Sequence, residues 1–189
     1  MYILFLILIC LGIGLLTLQQ RGKLIGHKTN KKLPVERNIF NLEIGDLVQY
    51  EGIDWFIEGK LIYDDSSDTW FSYLLQNNNQ ICWLSVEEDD YVEVSIFHET
   101  TETIEQPLLQ NVIYLGEKYY LLGSGTARMR RIGNTFNRKE QICNYYDYEK
   151  NDLRLSVEIW DGEMEVLIGQ KINPRMLTLL PGDGQKVYS

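Results

Sequence analysis

Histidine, cysteine and proline are all scarce in this chain of 189 residues, and each shortage removes a class of function or structure. The two histidines, His27 and His98, are far apart and neither stands beside a cysteine. No H-x-x-x-H pair and no G-x-S-x-G nucleophile motif is present, so the sequence predicts neither a zinc site nor a Ser-His-Asp triad. We therefore expect no catalytic residue, no metal and no cofactor, and a protein that is not an enzyme.

Cysteine usage is equally sparse. Cys10 lies in an apolar run, while Cys82 and Cys143 are widely separated and form no C-x-x-C pair. This pattern predicts reduced, buried thiols in a reducing compartment. Four prolines and fifteen glycines are too few for a disordered chain, and an apolar content of 44% supports a folded core.

Basic charge is missing from most of the chain. Residues 1–37 carry six basic residues and one acidic residue, whereas the remainder carries 12 basic and 26 acidic residues, a net charge of −14. Such an acidic surface repels phosphate backbones. The sequence therefore predicts no nucleic-acid partner.

An uncharged apolar run from Tyr2 to Leu18 opens the chain. Its length approaches that of a bilayer-spanning helix, and no basic n-region precedes it as a signal peptide would require. We predict a single-pass transmembrane helix over 1–20, followed by a basic juxtamembrane linker over 21–41. Because all six flanking basic residues follow the run, the positive-inside rule places the following domain on the cytoplasmic face of a bacterial inner (plasma) membrane.

Two halves of the remaining sequence resemble each other. Val48–Gly59 and Val112–Gly123 both read V-x-Y-x-G-x-x-aromatic-aromatic-x-x-G, and LSVE occurs at 84–87 and again at 155–158. Between these blocks, WFSY at 70–73 aligns with YYDY at 145–148. Three matches in the same order indicate an internal duplication.

Each half has the alternating pattern of β-strands, and no stretch after the linker shows ten residues at helical period. We predict an all-β domain over 42–184, with repeats over about 42–98 and 107–181, and a short tail over 185–189. A single meander would leave one face and two edges open. Two meander repeats are therefore expected to form either a barrel or two packed sheets.

The first repeat and parts of the second resemble the bacterial family DUF4178. The first two motifs are an I-G-D strand at Ile44, Gly45 and Asp46 and a G-x-x-aromatic-x-x-x-G block with Gly52, Trp55 and Gly59. The next two are a W-x-x-Y-x-L strand with Trp70, Tyr73 and Leu75 and a W-L-x-x-x-x-D strand with Trp83, Leu84 and Asp89. In the second half GTARMRR, YYDYE, VEIWDG and LLPGD resemble the family's C-terminal portion, so the resemblance covers about 42–183. It implies an all-β domain and brings no catalytic residues.

Two charged groups are candidate ligand or partner surfaces. The acidic group comprises Glu87, Glu88, Asp89 and Asp90, and the basic group comprises Arg128, Arg130 and Arg131. Successive strand residues point to opposite faces, so the four acids cannot converge on one ion. A charged loop or a weak cation or polyamine site is expected for the acids, and either ion pairing or anion binding for the arginines.

Large aromatic residues recur through both halves and form either the core or the lining of a cavity: Trp55, Trp70, Tyr73, Trp83, Tyr145 and Tyr148. We expect a non-enzymatic, membrane-anchored module that recruits an unknown protein partner or binds a ligand. The alternatives are a small-molecule or lipid-binding barrel with an aromatic-lined cavity and an enzyme with an acidic site.

Overall fold

The computed structural model describes residues 36–136, 141–185, 187 and 188, and these residues form an all-β structure. Its strands are β1 (Leu47–Tyr50), β2 (Ile53–Asp64), β3 (Thr69–Asn77), β4 (Gln80–Glu88), β5 (Val92–Thr100), β6 (Asn111–Tyr114), β7 (Glu117–Gly133), β8 (Gln141–Lys150), β9 (Leu153–Trp160), β10 (Glu163–Ile172) and β11 (Thr178–Leu180). One short 3₁₀ turn, Pro174–Met176, precedes β11. The predicted all-β class is confirmed.

The strands form one sheet that closes on itself. The order is β11-β1-β2-β3-β4-β5-β10-β9-β8-β7-β6, and β2 also pairs with β7. Eight strands, β2 to β5 and β7 to β10, therefore make a closed antiparallel barrel, while β1, β6 and β11 extend the sheet beyond the closure. Of the two predicted arrangements, the barrel is the one observed.

The two halves repeat the same local geometry. The β1–β2 turn has positive φ at Glu51 and Gly52, and the β6–β7 turn has positive φ at Leu115 and Gly116, as a two-residue hairpin turn requires. A register shift lies between Ile57 and Gly59 in β2, and another lies between Leu121 and Gly123 in β7. Both features are 64 residues apart, the spacing of the repeated sequence block, so the duplication extends to turns and bulges.

The strand pairing changes one part of the alignment between the two halves of the sequence. Ile57 and Leu121, which are equivalent at the bulge, pair with Leu75 and Tyr148 respectively. The ladders therefore equate Tyr148 with Leu75, whereas the sequence motif equates it with Tyr73. The matched aromatic blocks are displaced by two residues, which keeps each side chain on the same face because strands have a period of two.

Closure of the barrel depends on a close backbone approach. Gly59 of β2 pairs with Gly133 of β7, and a Cβ at Gly59 would lie 1.7 Å from the carbonyl oxygen of Asn134. Gly133 has φ of 76°, a conformation that side chains disfavour. The Asn134 amide donates to the Glu58 carbonyl at 2.8 Å, which adds a hydrogen bond between β2 and the residue after β7 where the barrel closes.

Buried apolar side chains form three clusters. One fills the barrel and includes Leu61, Leu74, Trp83, Met129 and Trp160. The other two lie outside the barrel wall, one in each half: the first contains Val48 and Trp55, and the second contains the equivalent residues Val112 and Tyr119. Each repeat thus contributes to a shared interior and also builds its own outer core.

The C-terminal segment covers the outer face of the first half. β11 pairs with β1, and the Tyr188 ring packs edge-on against Phe56 with centroids 6.1 Å apart. Buried Glu58 accepts hydrogen bonds from the Val187 and Tyr188 amides at 2.8 and 3.0 Å. Buried Asp46, from the I-G-D motif, accepts from the Gly182 amide at 2.7 Å. Two buried carboxylates therefore hold this segment in place.

The predicted membrane helix and most of the predicted linker lie outside the described residues. Within the described part of the chain, no helix has the length and apolar character needed to cross a membrane. Cys82 and Cys143 are buried and unbonded to each other, as the sequence predicts. Burial raises the pKa of the Cys82 thiol to about 12.

Candidate functional site

Alternation along the barrel strands places polar side chains in the interior. In β4, Trp83, Ser85 and Glu87 line an internal cavity, whereas Cys82, Leu84 and Val86 belong to an outer cluster. In β9, Ser156 and Glu158 line the same cavity, and Leu155 and Val157 lie in the other outer cluster. The repeated LSVE motif therefore directs a serine and a glutamate inward from each half.

The internal cavity has a volume of about 40 Å³. This is room for a few water molecules and far below the ~300–1,000 Å³ of ordinary ligand pockets. Its walls combine three carboxyl groups with serines and large rings: Tyr63, Trp70, Ser72, Trp83, Ser85, Glu87, Phe97, Tyr145, Asp147, Ser156, Glu158 and Leu167. The barrel interior is filled mainly by its own side chains, as expected for eight strands.

A larger concavity of about 240 Å³ lies at one end of the barrel. We call it the acidic mouth; it is lined by Asp65, Asp68, Thr69, Trp70, Glu87, Glu88, Asp89, Leu122, Gly123, Tyr145 and Asp147. Trp70, Glu87, Tyr145 and Asp147 belong to both spaces. The mouth therefore continues into the internal cavity. None of the described residues that line either space is basic.

Aromatic contacts fix the wall between the mouth and the cavity. Trp70 stacks on Tyr63 with centroids 5.1 Å apart and meets Tyr145 edge-on, also at 5.1 Å. The Tyr145 hydroxyl donates to Asp65 at 2.8 Å. The face of an aromatic ring attracts cations through its quadrupole and does not attract anions. This wall therefore suits a positively charged ligand.

The turn between β2 and β3 presents Asp65 as a carboxylate. Its Oδ1 accepts hydrogen bonds from the Asp68 amide at 3.0 Å and the Ser67 amide at 3.1 Å. These bonds and the one from Tyr145 lower the pKa of Asp65 to about 2. Asp65 is therefore ionised at any physiological pH.

Asp147 behaves in the opposite way. Burial, followed by the nearby Glu87 charge, raises its pKa to about 7, and a hydrogen bond with Ser156 opposes this only in part. Burial within the mouth also raises the pKa of Glu87, although its side chain keeps solvent contact at the rim. Asp147 is therefore only partly ionised at neutral pH, mainly because burial disfavours its charged form.

Other charged side chains nearby are paired. The Tyr63 hydroxyl donates to Glu158 at 3.0 Å. Glu93 pairs with Arg154 at 2.7 Å and with Lys171 at 2.6 Å. Burial opposes ionisation of Glu93, but these two partners outweigh it and lower its pKa. The Arg154 and Lys171 charges are therefore engaged with Glu93 beside the mouth.

The structure separates the two charged groups singled out in the sequence. Glu87, Glu88 and Asp89 line the mouth, while Asp90 is exposed and outside it. Arg128, Arg130 and Arg131 are exposed on β7 and do not line the mouth.

The six aromatic residues are divided between the clusters. Trp70, Trp83 and Tyr145 line the internal cavity. Trp55 and Tyr73 belong to the outer cluster of the first half, and Tyr148 belongs to that of the second half. The recurring rings therefore serve both as packing and as cavity wall.

Sequence reasoning missed Asp147 and Asp65 as site residues and indicated Glu158 only as the repeat counterpart of Glu87. Asp147 and Glu158 alternate with buried outward positions of their strands, which is a detectable signal once the strand faces are known. Asp65 is brought to the Tyr145 hydroxyl by the barrel fold across 80 positions of sequence, and nothing local indicates that contact.

A second concavity of about 350 Å³ lies on the outer surface where β5 meets β10. Its walls are mostly apolar and include Ile53, Trp55, Ile96, Leu153 and Ile168. Among the described residues, no group of three or more His, Cys, Asp or Glu side chains is placed to hold a metal ion, here or in the mouth.

Comparison with known proteins gives a family without a described activity. The model of a family described as "Domain of unknown function (DUF4178)" matches residues 43–174. An uncharacterized protein of Mycobacterium tuberculosis and one of Mycobacterium bovis are each 27% identical over 146 residues, which cover 72% of this chain and 70% of the relative. No solved structure matches.

Proposed function

This chain belongs to the DUF4178 family, and we propose that its β-barrel is a non-enzymatic binding module that takes an organic cation into the acidic mouth. The carrying observation is a mouth of about 240 Å³ lined by carboxyl groups and two aromatic rings, with no basic residue among the described lining. An alkylammonium or guanidinium group satisfies both kinds of wall, since it pairs with carboxylates and rests on ring faces.

The ionisation of Asp147 supports a cationic ligand. A carboxyl group with a pKa of about 7 is close to half protonated at neutral pH, and a cation beside it lowers that pKa. Binding therefore recovers the charge that burial suppresses. The ligand's own charge replaces the missing counter-ion in the mouth.

The size of the two spaces sets the shape of the ligand. The mouth holds a compact group, and the internal cavity of about 40 Å³ accepts only its narrow end. A linear ammonium chain fits this profile and has two sources, a free polyamine or the lysine side chain of a partner protein.

Calorimetric titration of the full-length protein with spermidine, and separately with a lysine-rich peptide, tests this function. We expect micromolar to millimolar binding of one or both probes, and at least a tenfold loss in the double variant Glu87→Gln, Asp147→Asn. The control removes two exposed carboxyl groups at the far end of β9, Asp161→Asn and Glu163→Gln, the same number as the mouth variant.

Three outcomes contradict the proposal. Neither probe binds, or the control weakens binding as much as the mouth variant does, or Mg²⁺ or Ca²⁺ binds the mouth in preference to both probes. The last result makes the mouth a metal site, for which the aromatic wall has no role.

An apolar ligand is the second candidate function, and the apolar concavity on the outer surface where β5 meets β10 supports it. Its volume of about 350 Å³ falls within the range of ligand pockets, whereas the internal cavity is too small and too acidic for an acyl chain. Quenching of Trp55 fluorescence by a brominated fatty acid tests this alternative, and no quenching at saturating lipid eliminates it.

The membrane placement is part of the proposal. The apolar run from Tyr2 to Leu18 and the six basic residues after it support an anchor with the barrel on the cytoplasmic side. Protease added to sealed spheroplasts is then unable to digest the barrel until the membrane is opened. Digestion from outside reverses the orientation, and release of the intact chain by carbonate removes the anchor.

A further inference from the structure

The two halves of the duplication differ in what covers their outermost strand. In the first half, β11 pairs along β1, with Val48 opposite Leu179. In the second half, β6 occupies the place of β1, and it is the last strand of the sheet. Among the described residues, no strand pairs with its outer edge. An uncovered strand edge presents free N–H and C=O groups to any strand that can approach.

The side chains around the two edge strands, β1 and β6, also differ between the halves. In the first half, Gln49 donates to Asp54 across the hairpin at 2.8 Å, and Glu51 forms the turn. The equivalent positions of Gln49 and Glu51 in the second half are Ile113 and Leu115, which are 68% and 70% exposed. Polar residues thus stand where the edge is covered, and apolar residues stand where it is open.

The exposed face of β7, which pairs with β6, shows the same difference from the first half. Phe56 is covered by Tyr188, whereas its equivalent, Tyr120, is 55% exposed. Glu58 binds the C-terminal amides, whereas its equivalent is Leu122, which is 53% exposed. We call Ile113, Leu115, Tyr120 and Leu122 the β6 patch. Contiguous exposed apolar residues beside an open edge mark an interaction surface.

We infer that the β6 patch is the contact surface of a symmetric dimer, in which β6 pairs antiparallel with β6 of a second copy. The chain's own C-terminal segment is already held on the first half by Asp46 and Glu58. Both anchors are absent from the second half, where Gln110 and Leu122 occupy those positions. A segment that places apolar side chains on the patch is needed instead, and β6 itself supplies one.

Charge favours a second copy at this face over the rest of the surface. The chain beyond residue 37 has a net charge of −14, so most approaches between copies are repulsive. In the β6–β7 hairpin, Glu117 pairs with Lys150, and the Lys118 Nζ lies 5.1 Å from the Tyr120 ring centroid, while Leu122 borders the acidic mouth. A twofold contact centred on β6 brings the apolar residues of the hairpin onto the same residues of the second copy.

The other end of the sheet is a weaker edge. β11 has only three residues and is followed directly by Pro181, which cannot donate a backbone hydrogen bond. Short length and proline are common means of blocking edge pairing. β6 is therefore the edge that the fold leaves available.

Light scattering of the full-length protein after size-exclusion chromatography tests the inference. We expect the mass of two chains for the wild type and of one chain for Ile113→Lys, because a charge on an apolar edge opposes strand pairing. The matched control is Gln49→Lys, at the equivalent position of the covered edge, which should remain a dimer.

Disulfide capture provides the second measurement. Ile113→Cys should form a covalent dimer under mild oxidation, whereas Gln49→Cys should not. The inference is overturned by a monomeric wild type, by a dimer that survives Ile113→Lys, or by equal crosslinking at the two positions. A dimer held by the predicted membrane helix would show itself by surviving both lysine substitutions.

Discussion

The unusual ionisation of Asp147 predicts a pH dependence of stability that can be worked out from the structure. Its pKa rises from 3.8 to about 7 on folding. The folded state therefore holds a proton that the unfolded chain releases between these values. The resulting stabilisation is fully present below pH 3.8 and is lost as the pH rises through 7, with a slope of about 1.4 kcal/mol per pH unit in between.

Between pH 5 and pH 8 the loss from Asp147 alone amounts to about 2.5 kcal/mol by this linkage, and it is an upper value because the side chain keeps some solvent contact. Asp65 and Glu93, whose pKa values are lowered, change protonation at more acidic pH than ordinary carboxyl groups do. Asp147→Asn removes the titrating group. The variant should therefore gain stability relative to the wild type as the pH increases.

Urea denaturation of the full-length protein at pH 5, 6, 7 and 8, followed by tryptophan fluorescence, measures the difference. Asp161→Asn is the matched control, since Asp161 is exposed in a turn that asparagine also favours. Its difference from the wild type should not change with pH. A pH-independent difference for Asp147→Asn would refute the reasoning, because it would mean that Asp147 ionises in the folded barrel as it does in the unfolded chain.

Three further predictions concern the duplicated architecture and the mouth. Gly59→Ala should destabilise the barrel by several kcal/mol or prevent folding, because its Cβ would meet the Asn134 carbonyl. Gly123→Ala at the equivalent bulge has open space around the new Cβ and should cost about 1 kcal/mol or less. Thermal unfolding compares the two variants, and equal effects contradict the closure geometry. Glu58→Leu, which copies the second half, should increase hydrogen exchange at the Val187 and Tyr188 amides, and unchanged protection would show that Glu58 does not hold the C-terminal segment. Tyr145→Phe should raise the pKa of Asp65 from about 2 part of the way to 3.8, since the amides of Ser67 and Asp68 still donate; an NMR titration reports it, and no change would rule out the Tyr145 hydrogen bond in solution.

Duplication explains why the fold class is readable from sequence while the site is not. The turn residues Gly52 and Gly116, the alternating strands and the repeated LSVE motif are local signals, and each half expresses them within its own hairpins. The contact between Trp70 and Tyr145 and that between Tyr145 and Asp65 join different halves. Neither half contains the mouth by itself, so the acidic group at Glu87–Asp89 is visible in the sequence but its meeting with Asp65 and Asp147 is not.

The sequence by itself determined that the chain after residue 41 is built from β-strands, that it is duplicated and that it is strongly acidic, because strand period, turn chemistry and charge are properties of neighbouring residues. Only the tertiary structure decided that the two halves close into one barrel, that Asp147 is half-buried among other carboxyl groups, and that β1 is covered while β6 is open. Each of these depends on which strand lies beside which. That choice is made by the packing of residues distant in the chain, and it is the physical reason why the acidic mouth and the β6 patch appear only in the folded protein.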